Sequence, residues 1–312
     1  MSDAHAVLDH PHGHDHPHAH DGGPLTMEDR HGHEAQVYDA MAAEILGSWS
    51  EADYLVDPDT IPIVNREQVD YLAAAIDAIR PLAGKRILEI GAGGGSLAVW
   101  LAQQGATVVG IDVSDGILQV ARERVRVNGV SDRVTLLHTP IEKFDPRASG
   151  LDHDTYDAVI GNNVVHHFER DVALDNLARL MAPGAVAAFC EPVLFVPEWL
   201  RSVRNSRLVT RRFPMHTHTP DERALLAEDF VLMQRKFRLV TWQPFQVLCR
   251  LQNFVNLSDR TWNRLESIDR RLLRAVPSTR RICRIAVVTL GLPYPPERTH
   301  EALPDRKEEV TA

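Results

Sequence analysis

A doubly wound α/β sheet with helices on both faces is the fold class that three features of this sequence predict. Short apolar strands alternate with helical stretches of roughly 9 to 15 residues, the signature of βαβ units. Those strands lack polar alternation, as strands covered on both faces do. The first of them, Arg86-Ile87-Leu88-Glu89-Ile90, runs straight into Gly91-Ala92-Gly93-Gly94-Gly95. A doubly wound sheet brings ligands to that place, outside the carboxyl ends of its strands. The chain has 312 residues, enough for one large domain with additions.

Residues 1–33 hold nine of the 16 histidines, including the alternating His10, His12, His14, His16, His18 and His20 among Gly, Pro and Asp. With few apolar residues to pack, this stretch is expected to be a disordered tail. Its neutral imidazoles could hold a divalent ion such as Ni²⁺ or Zn²⁺ weakly. Residues 34–84 read as N-terminal helices, Glu34 to Leu46 and Asn65 to Ile79, until Pro81 and Gly84 break the helical period.

The core runs over residues 85–244. After the first strand come helix Ser96–Gln104, strand Thr107–Ile111, helix Asp115–Asn128 and strand Arg133–Leu137. Strand Tyr156–Gly161, helix Asp171–Met181 closed by Pro183-Gly184, and strand Ala185–Cys190 follow. Two further helices, Pro197 to Arg211 and Asp221 to Gln234, precede a sixth strand at Phe237–Gln243. Residues 245–284 look helical, residues 285–294 form a last strand, and 295–312 are polar and Pro-containing, a second disordered tail.

Composition is that of a globular protein, 44% hydrophobic and 25% charged. No run approaches the roughly 18 apolar residues that span a bilayer, and the first 30 residues lack the apolar centre of a secretory signal, so the cytoplasm is the expected location. Cys190, Cys249 and Cys283 form no CxxC pair; neither a disulfide framework nor a metal site in the core is expected. The net charge of −9 hides an asymmetry: Pro197 to Arg284 carries 18 Lys plus Arg against 8 Asp plus Glu. A basic segment in an acidic protein suits an anionic substrate, a peripheral contact with an anionic membrane, or an internal contact with the acidic half.

The glycine run is the densest signal. Glycine lets backbone approach a ligand closely and allows positive φ. The spacing fails the dinucleotide pattern GxGxxG, because Ser96 stands where the third glycine would fall, and Ser96-Leu97 stands where a phosphate loop needs Gly-Lys. Glu89 precedes the loop, where a carboxylate suits a cationic group such as the amino group of methionine. Asp112 ends the next strand, 21 residues after Gly91, where an acceptor can take both hydroxyls of a ribose. The bland reading makes the glycines a tight strand-to-helix turn and Asp112 a helix cap.

Taken in order, ILEIGAGGGS, VVGIDVS, LLHTPIEKF, YDAVIGNNVVHH and LARLMAPGAVAAF resemble the motifs of the Rossmann-like, class I S-adenosylmethionine-dependent methyltransferases over residues 86–190. The resemblance implies a seven-stranded, mostly parallel sheet with an antiparallel seventh strand, and S-adenosyl-L-methionine as methyl donor. It implies that Glu89 and Gly91, Ala92, Gly93, Gly94 and Gly95 hold the methionine part, Asp112 the ribose and Val113 one adenine face. The adenine amino group falls to the backbone of Ile141 or to Glu142, and Asn162 sits beside the methyl donor. With an antiparallel seventh strand, residues 245–284 leave the sheet at the edge of the site and form a helical lid insertion.

Methyl transfer to a hydroxyl is helped by a base. His166 and His167 after the fourth strand, and Glu191 after the fifth, are the candidates; His216 and His218 lie in the next connection. Phe245, Phe254, Trp262 and the leucines of the lid suit an apolar pocket, and its nine arginines against three acids face water, an anionic group or a membrane. The expected acceptor is a small, hydrophobic or lipid-like molecule, O-methylated in preference to N- or C-methylated. TPIEKF is similar to methyltransferases of quinone biosynthesis. Alternatives are a macromolecule methyltransferase, for RNA or protein, and a nucleotide-cofactor oxidoreductase. Asn162-Asn163-Val164-Val165 lacks an NPPY-like tetrapeptide and no nucleic-acid partner is expected, while Ser96 counts against nicotinamide.

Overall fold

The computed structural model describes residues 26–63, 66–195, 224–253, 255 and 257–295. Its centre is one seven-stranded sheet in the order β3-β2-β1-β4-β5-β7-β6. The strands are β1 (Arg86–Ile90), β2 (Thr107–Asp112), β3 (Val134–His138), β4 (Tyr156–Asn162), β5 (Met181–Pro192), β6 (Phe237–Phe245) and β7 (Ile285–Pro293). β1 pairs in parallel with β2 and β4, and β5 with β4, whereas β7 is antiparallel to both β5 and β6. The doubly wound, mostly parallel α/β fold with an antiparallel last strand is as the sequence predicts. Strand order reverses between β1 and β4, so their carboxyl ends open the crevice where such sheets take ligands.

Side-chain alternation explains the two cores. Ile87, Val108, Ala158 and Ile160 point to one face, where α2 (Val69–Ala78) and α3 (Ser96–Gln103) cover them with Leu72, Ile76 and Leu101. Leu88, Val109, Val159 and Phe189 point to the other, under Leu174 and Leu177 of α5 (Arg170–Leu180) and Phe230 and Met233 of α6 (Ala227–Lys236). Ile87 and Leu88 are both fully buried, each burial stabilising the fold by about 1.5–3 kcal/mol. α4 (Asp115–Val127) is capped by Ser114, whose side chain accepts from the Ile117 N–H at 3.0 Å. The cap of this helix is therefore Ser114 rather than Asp112.

The N-terminus departs from expectation. Helix α1 spans Met27–Ser48, so residues 26–33 do not belong to a disordered tail. Thr26 starts it: its hydroxyl accepts from the Asp29 N–H at 3.2 Å while its own N–H donates to the Asp29 carboxylate at 3.0 Å. This reciprocal cap satisfies two otherwise orphaned groups. The polar composition of the first 33 residues masks a helix whose packing face, Tyr38, Met41, Ala42 and Ile45, lies further along and docks on Ile117 and Val120 of α4. The alternating histidines at 10–20, the helix expected over 197–211, His216, His218, Phe254 and the tail beyond Pro295 lie outside the described residues.

Residues 245–284 include helix α7 (Asp259–Ala275) flanked by 3₁₀ turns at Leu248–Asn253 and Pro277–Ile282. Because β6 is parallel to β1, this segment leaves from the sheet edge at which the glycine run begins. It is anchored to α2 by Arg270–Asp70 at 2.8 Å, and Trp262, 1% exposed, is core beneath the Arg66 guanidinium rather than pocket lining. Phe245 packs edge-on to Tyr71, centroids 6.4 Å apart.

Candidate functional site

Glycine is required at the first turn after β1. Gly91 adopts φ +70°, and a Cβ there would stand 2.3 Å from Val164 Cγ1. Gly95, the left-handed cap of α3, would press a Cβ to 2.8 Å from Ala121. The turn is tied to the neighbouring strand: the N–H groups of Gly91 and Ala92 both donate to the Ile111 carbonyl, at 2.9 and 3.1 Å. Asp112 completes the frame, its two carboxylate oxygens accepting from the Gly93 N–H at 2.8 Å and the Ser114 N–H at 3.0 Å. Burial raises its carboxyl above the ordinary range against the pull of those N–H groups.

Glu89 precedes this turn in β1, 4% exposed, and its Oε2 is buried without a hydrogen-bond partner among the described residues. Desolvation, with the Asp112 charge second, lifts its carboxyl well above the usual range. A buried carboxylate lacking a cation is unfavourable, so two carboxyls around a glycine turn suit a ligand that supplies positive charge. Asn162, last in β4, also has a buried Oδ1 without a hydrogen-bond partner among the described residues.

The hollow beside the turn is lined by Gly91, Asp112, Val113, Pro140, Ile141, Glu142, Val164, His167 and, from α1, His31 and Glu34. Sequence reasoning assigned the segment holding His31 to the tail and gave it no part in the site. Glu142 Oε1 accepts from the Glu169 N–H at 2.8 Å, and the Ile141 carbonyl is taken by Asn176 Nδ2 at 2.6 Å. Val113 contributes its carbonyl to His138 Nε2 at 2.9 Å.

The three base candidates separate. Glu191, fully buried, accepts on Oε1 from the Val164 and Val165 N–H groups at 2.8 and 2.9 Å, and its Oε2 lies 2.9 Å from His166 Nδ1. It is a clamp on the turn after β4, where Asn163 holds φ +55°. His167 faces the hollow with Nδ1 3.5 Å from Glu34 Oε2. Arg124 of α4 was missed altogether: 3% exposed, it donates to the Gly94 carbonyl and lies on the Trp49 ring, and burial lowers its pKa to about 10. An arginine within the otherwise apolar run Ile117, Val120, Ala121, Arg124, Val125 was the available signal.

The glycine turn, the two carboxyls of Glu89 and Asp112 and the hollow beside them thus lie together at the carboxyl ends of β1 and β2. Residues 88–187 match the family model described as a methyltransferase domain. A ubiquinone biosynthesis O-methyltransferase of Dinoroseobacter shibae is 31% identical over 206 residues, 62% of this chain and 79% of the relative. One from Alkalilimnicola ehrlichii is 28% identical over 226 residues, 70% of this chain and 85% of the relative. A demethylmenaquinone methyltransferase of Clavibacter sepedonicus is 35% identical over 134 residues, 43% and 51% respectively. The [4+2]-cyclase SpnF shares the fold at 17% identity and TM-score 0.54, covering 87% of this chain and 98% of its own. The chain belongs to the class I S-adenosylmethionine-dependent methyltransferases; it is a transferase that uses S-adenosyl-L-methionine.

Proposed function

We propose that this enzyme O-methylates a hydroxyl on a small quinone-like or other lipid-like aromatic acceptor. The observation that carries the choice of a hydroxyl is the His166–Glu191 pair: a buried carboxylate on Nδ1 favours the tautomer that leaves Nε2 as the basic nitrogen. The names of the relatives, ubiquinone biosynthesis O-methyltransferase and demethylmenaquinone methyltransferase, support the acceptor class.

S-adenosylmethionine, when bound, supplies an electrophilic methyl group on a cationic sulfur. Glu89 offers its unpaired Oε2 to the positive end of the methionine part, with the Gly91–Gly95 backbone beneath it. Asp112, whose oxygens accept from backbone N–H groups, would keep acceptor capacity for the ribose hydroxyls. Val113 would cover one adenine face, Ile141 and Glu142 would border its edge, and Asn162 would sit toward the methyl end. His166 takes the proton from the acceptor hydroxyl on Nε2, and Glu191 holds the ring and the backbone from which it projects. His167, tied to Glu34, closes the wall between donor and solvent.

Incubation with labelled methyl donor and a panel of catechols, quinols and their prenylated forms is expected to label a phenolic oxygen; label only on RNA or protein would sink the acceptor reading. Calorimetry should detect S-adenosylmethionine and not NAD. Asp112→Ala is expected to weaken donor affinity by roughly 10- to 100-fold, the loss of one or two hydrogen bonds to a charged group, and equal affinity would remove Asp112 from the site.

The basic segment of residues 245–284 is read as covering the acceptor and meeting an anionic membrane surface. Arg271, Arg274 and Arg281 are exposed beside the exposed apolar Ile268, Val276 and Ile282. Among the described residues no helix is long and apolar enough to cross a membrane. Vesicles containing phosphatidylglycerol should retain the protein at low salt and release it at high salt; retention by neutral vesicles alone would refute the electrostatic contact.

A further inference from the structure

We propose that His31 is a cofactor-contacting residue that, together with Glu142, receives the exocyclic amino group of the adenine. The inference rests on the donor-binding reading above, and begins from an unsatisfied atom in the wall of the hollow. The Glu142 side chain is 2% exposed; its Oε1 is engaged by the Glu169 N–H, while Oε2 is buried without a hydrogen-bond partner among the described residues. Such an oxygen is expensive to bury unless something donates to it. Facing it at 3.9 Å is His31 Nε2, on a side chain 15% exposed. The separation is too long for a hydrogen bond between the two. Two acceptors so spaced can be served together by one NH₂ group, whose two hydrogens diverge from a single nitrogen; a keto oxygen, which donates nothing, cannot serve either.

The imidazole suits that role when Nδ1 carries the proton and Nε2 accepts. Desolvation holds its pKa below the ordinary value, against the pull of Glu142 and aided by the charges of Arg30 and Lys143, which favours the neutral ring. The position is fixed by its helix rather than by the ring itself. Arg30 pairs with Glu169 at 2.9 Å, Glu28 with Lys143 at 3.0 Å, and Glu34, one turn beyond His31, faces His167 at 3.5 Å. Asp39 accepts from the Ser114 hydroxyl at 2.6 Å and the Gly116 N–H at 2.9 Å, locking α1 onto the start of α4.

The test is calorimetry with S-adenosylhomocysteine and S-inosylhomocysteine, which carry on the purine an amino group beside an accepting N1 and a keto group beside an N1–H, respectively; the comparison between the unsubstituted chain and its His31 variants isolates the part that His31 contributes. The unsubstituted chain is expected to prefer the adenine compound by about 100-fold, and His31→Leu by about 10-fold, one hydrogen bond fewer in the recognition. His31→Gln, with an amide oxygen in reach, should recover part of the difference. Circular dichroism and the melting temperature establish that α1 stays folded in each variant. An unchanged preference in a folded His31→Leu would overturn the proposal, as would equal binding of the two compounds by the unsubstituted chain. Failure of that chain to bind either compound would instead overturn the donor-binding reading.

Discussion

Replacing Glu89 by glutamine should weaken S-adenosylmethionine binding by about 10- to 100-fold, the worth of a charge-assisted contact, while making the ligand-free protein more stable at neutral pH. Both effects have one origin. The carboxyl is 4% exposed, its Oε2 has no hydrogen-bond partner among the described residues, and its pKa lies well above the usual range through desolvation and the nearby Asp112 charge. Folding therefore favours the protonated form. Relative to glutamine, the carboxyl costs nothing extra below its ordinary pKa of about 4.3; the penalty grows as pH rises toward the raised folded value and persists above it. A gain of 1 kcal/mol in the variant would appear as about 2–4 °C in melting temperature.

The same shift makes donor binding depend on pH. A cation stabilises ionised Glu89, so below the raised pKa binding requires loss of a proton from the carboxyl. Affinity should fall as pH is lowered through that range, by at most about tenfold per unit, and this dependence should be lost in Glu89→Gln. A variant with normal affinity and the parental pH profile would remove Glu89 from the binding site.

The second large effect is on turnover. His166→Ala should lower kcat by about 10²- to 10⁴-fold, the range for a removed general base, while calorimetric affinity for the methyl donor stays within threefold, an allowance of about 0.6 kcal/mol. Glu191→Gln distinguishes proton transfer from loop support. Its amide oxygen can still accept from the Val164 and Val165 N–H groups, but its NH₂ would face His166 Nδ1 and drive the proton to Nε2, the wrong tautomer for a base. A folded Glu191→Gln should thus lose turnover nearly as far as His166→Ala. Full turnover in His166→Ala would leave positioning alone to carry the reaction.

Local features of the chain were legible in its sequence. The glycine turn, Glu89 and Asp112 lie within 24 consecutive residues, and their spacing encodes the turn they build. β1, β2 and β4 follow their apolar runs to within a residue or two because burial on both faces leaves no competing period; the half-exposed edge strand β3 is offset by one residue. What escaped depends on contacts between distant segments. His166 and Glu191 are recognisable separately as candidates, but only the pairing of β4 with β5 joins them across 25 residues. His31 carries no apolar signal and sits in a histidine-rich context; its place is set by Ala42 and Ile45, three to four turns further along α1. Arg124 was hidden because apolar periodicity says where a helix packs, and not that a guanidinium will reach through to a carbonyl.

The position of β7 imposes an order on biosynthesis. Of the seven described strands of this sheet it is the last to be synthesised, yet it lies inside the sheet, between β5 and β6. Until residues 285–293 emerge, β5 has an open hydrogen-bonding edge and β6 no neighbour through which to join the sheet. The donor-binding half, β1 to β4 with α3 and α4, can form far earlier. A message truncated before Ile285 would then yield a chain with an assembled nucleotide crevice and an adhesive strand edge, a species that quality control must intercept.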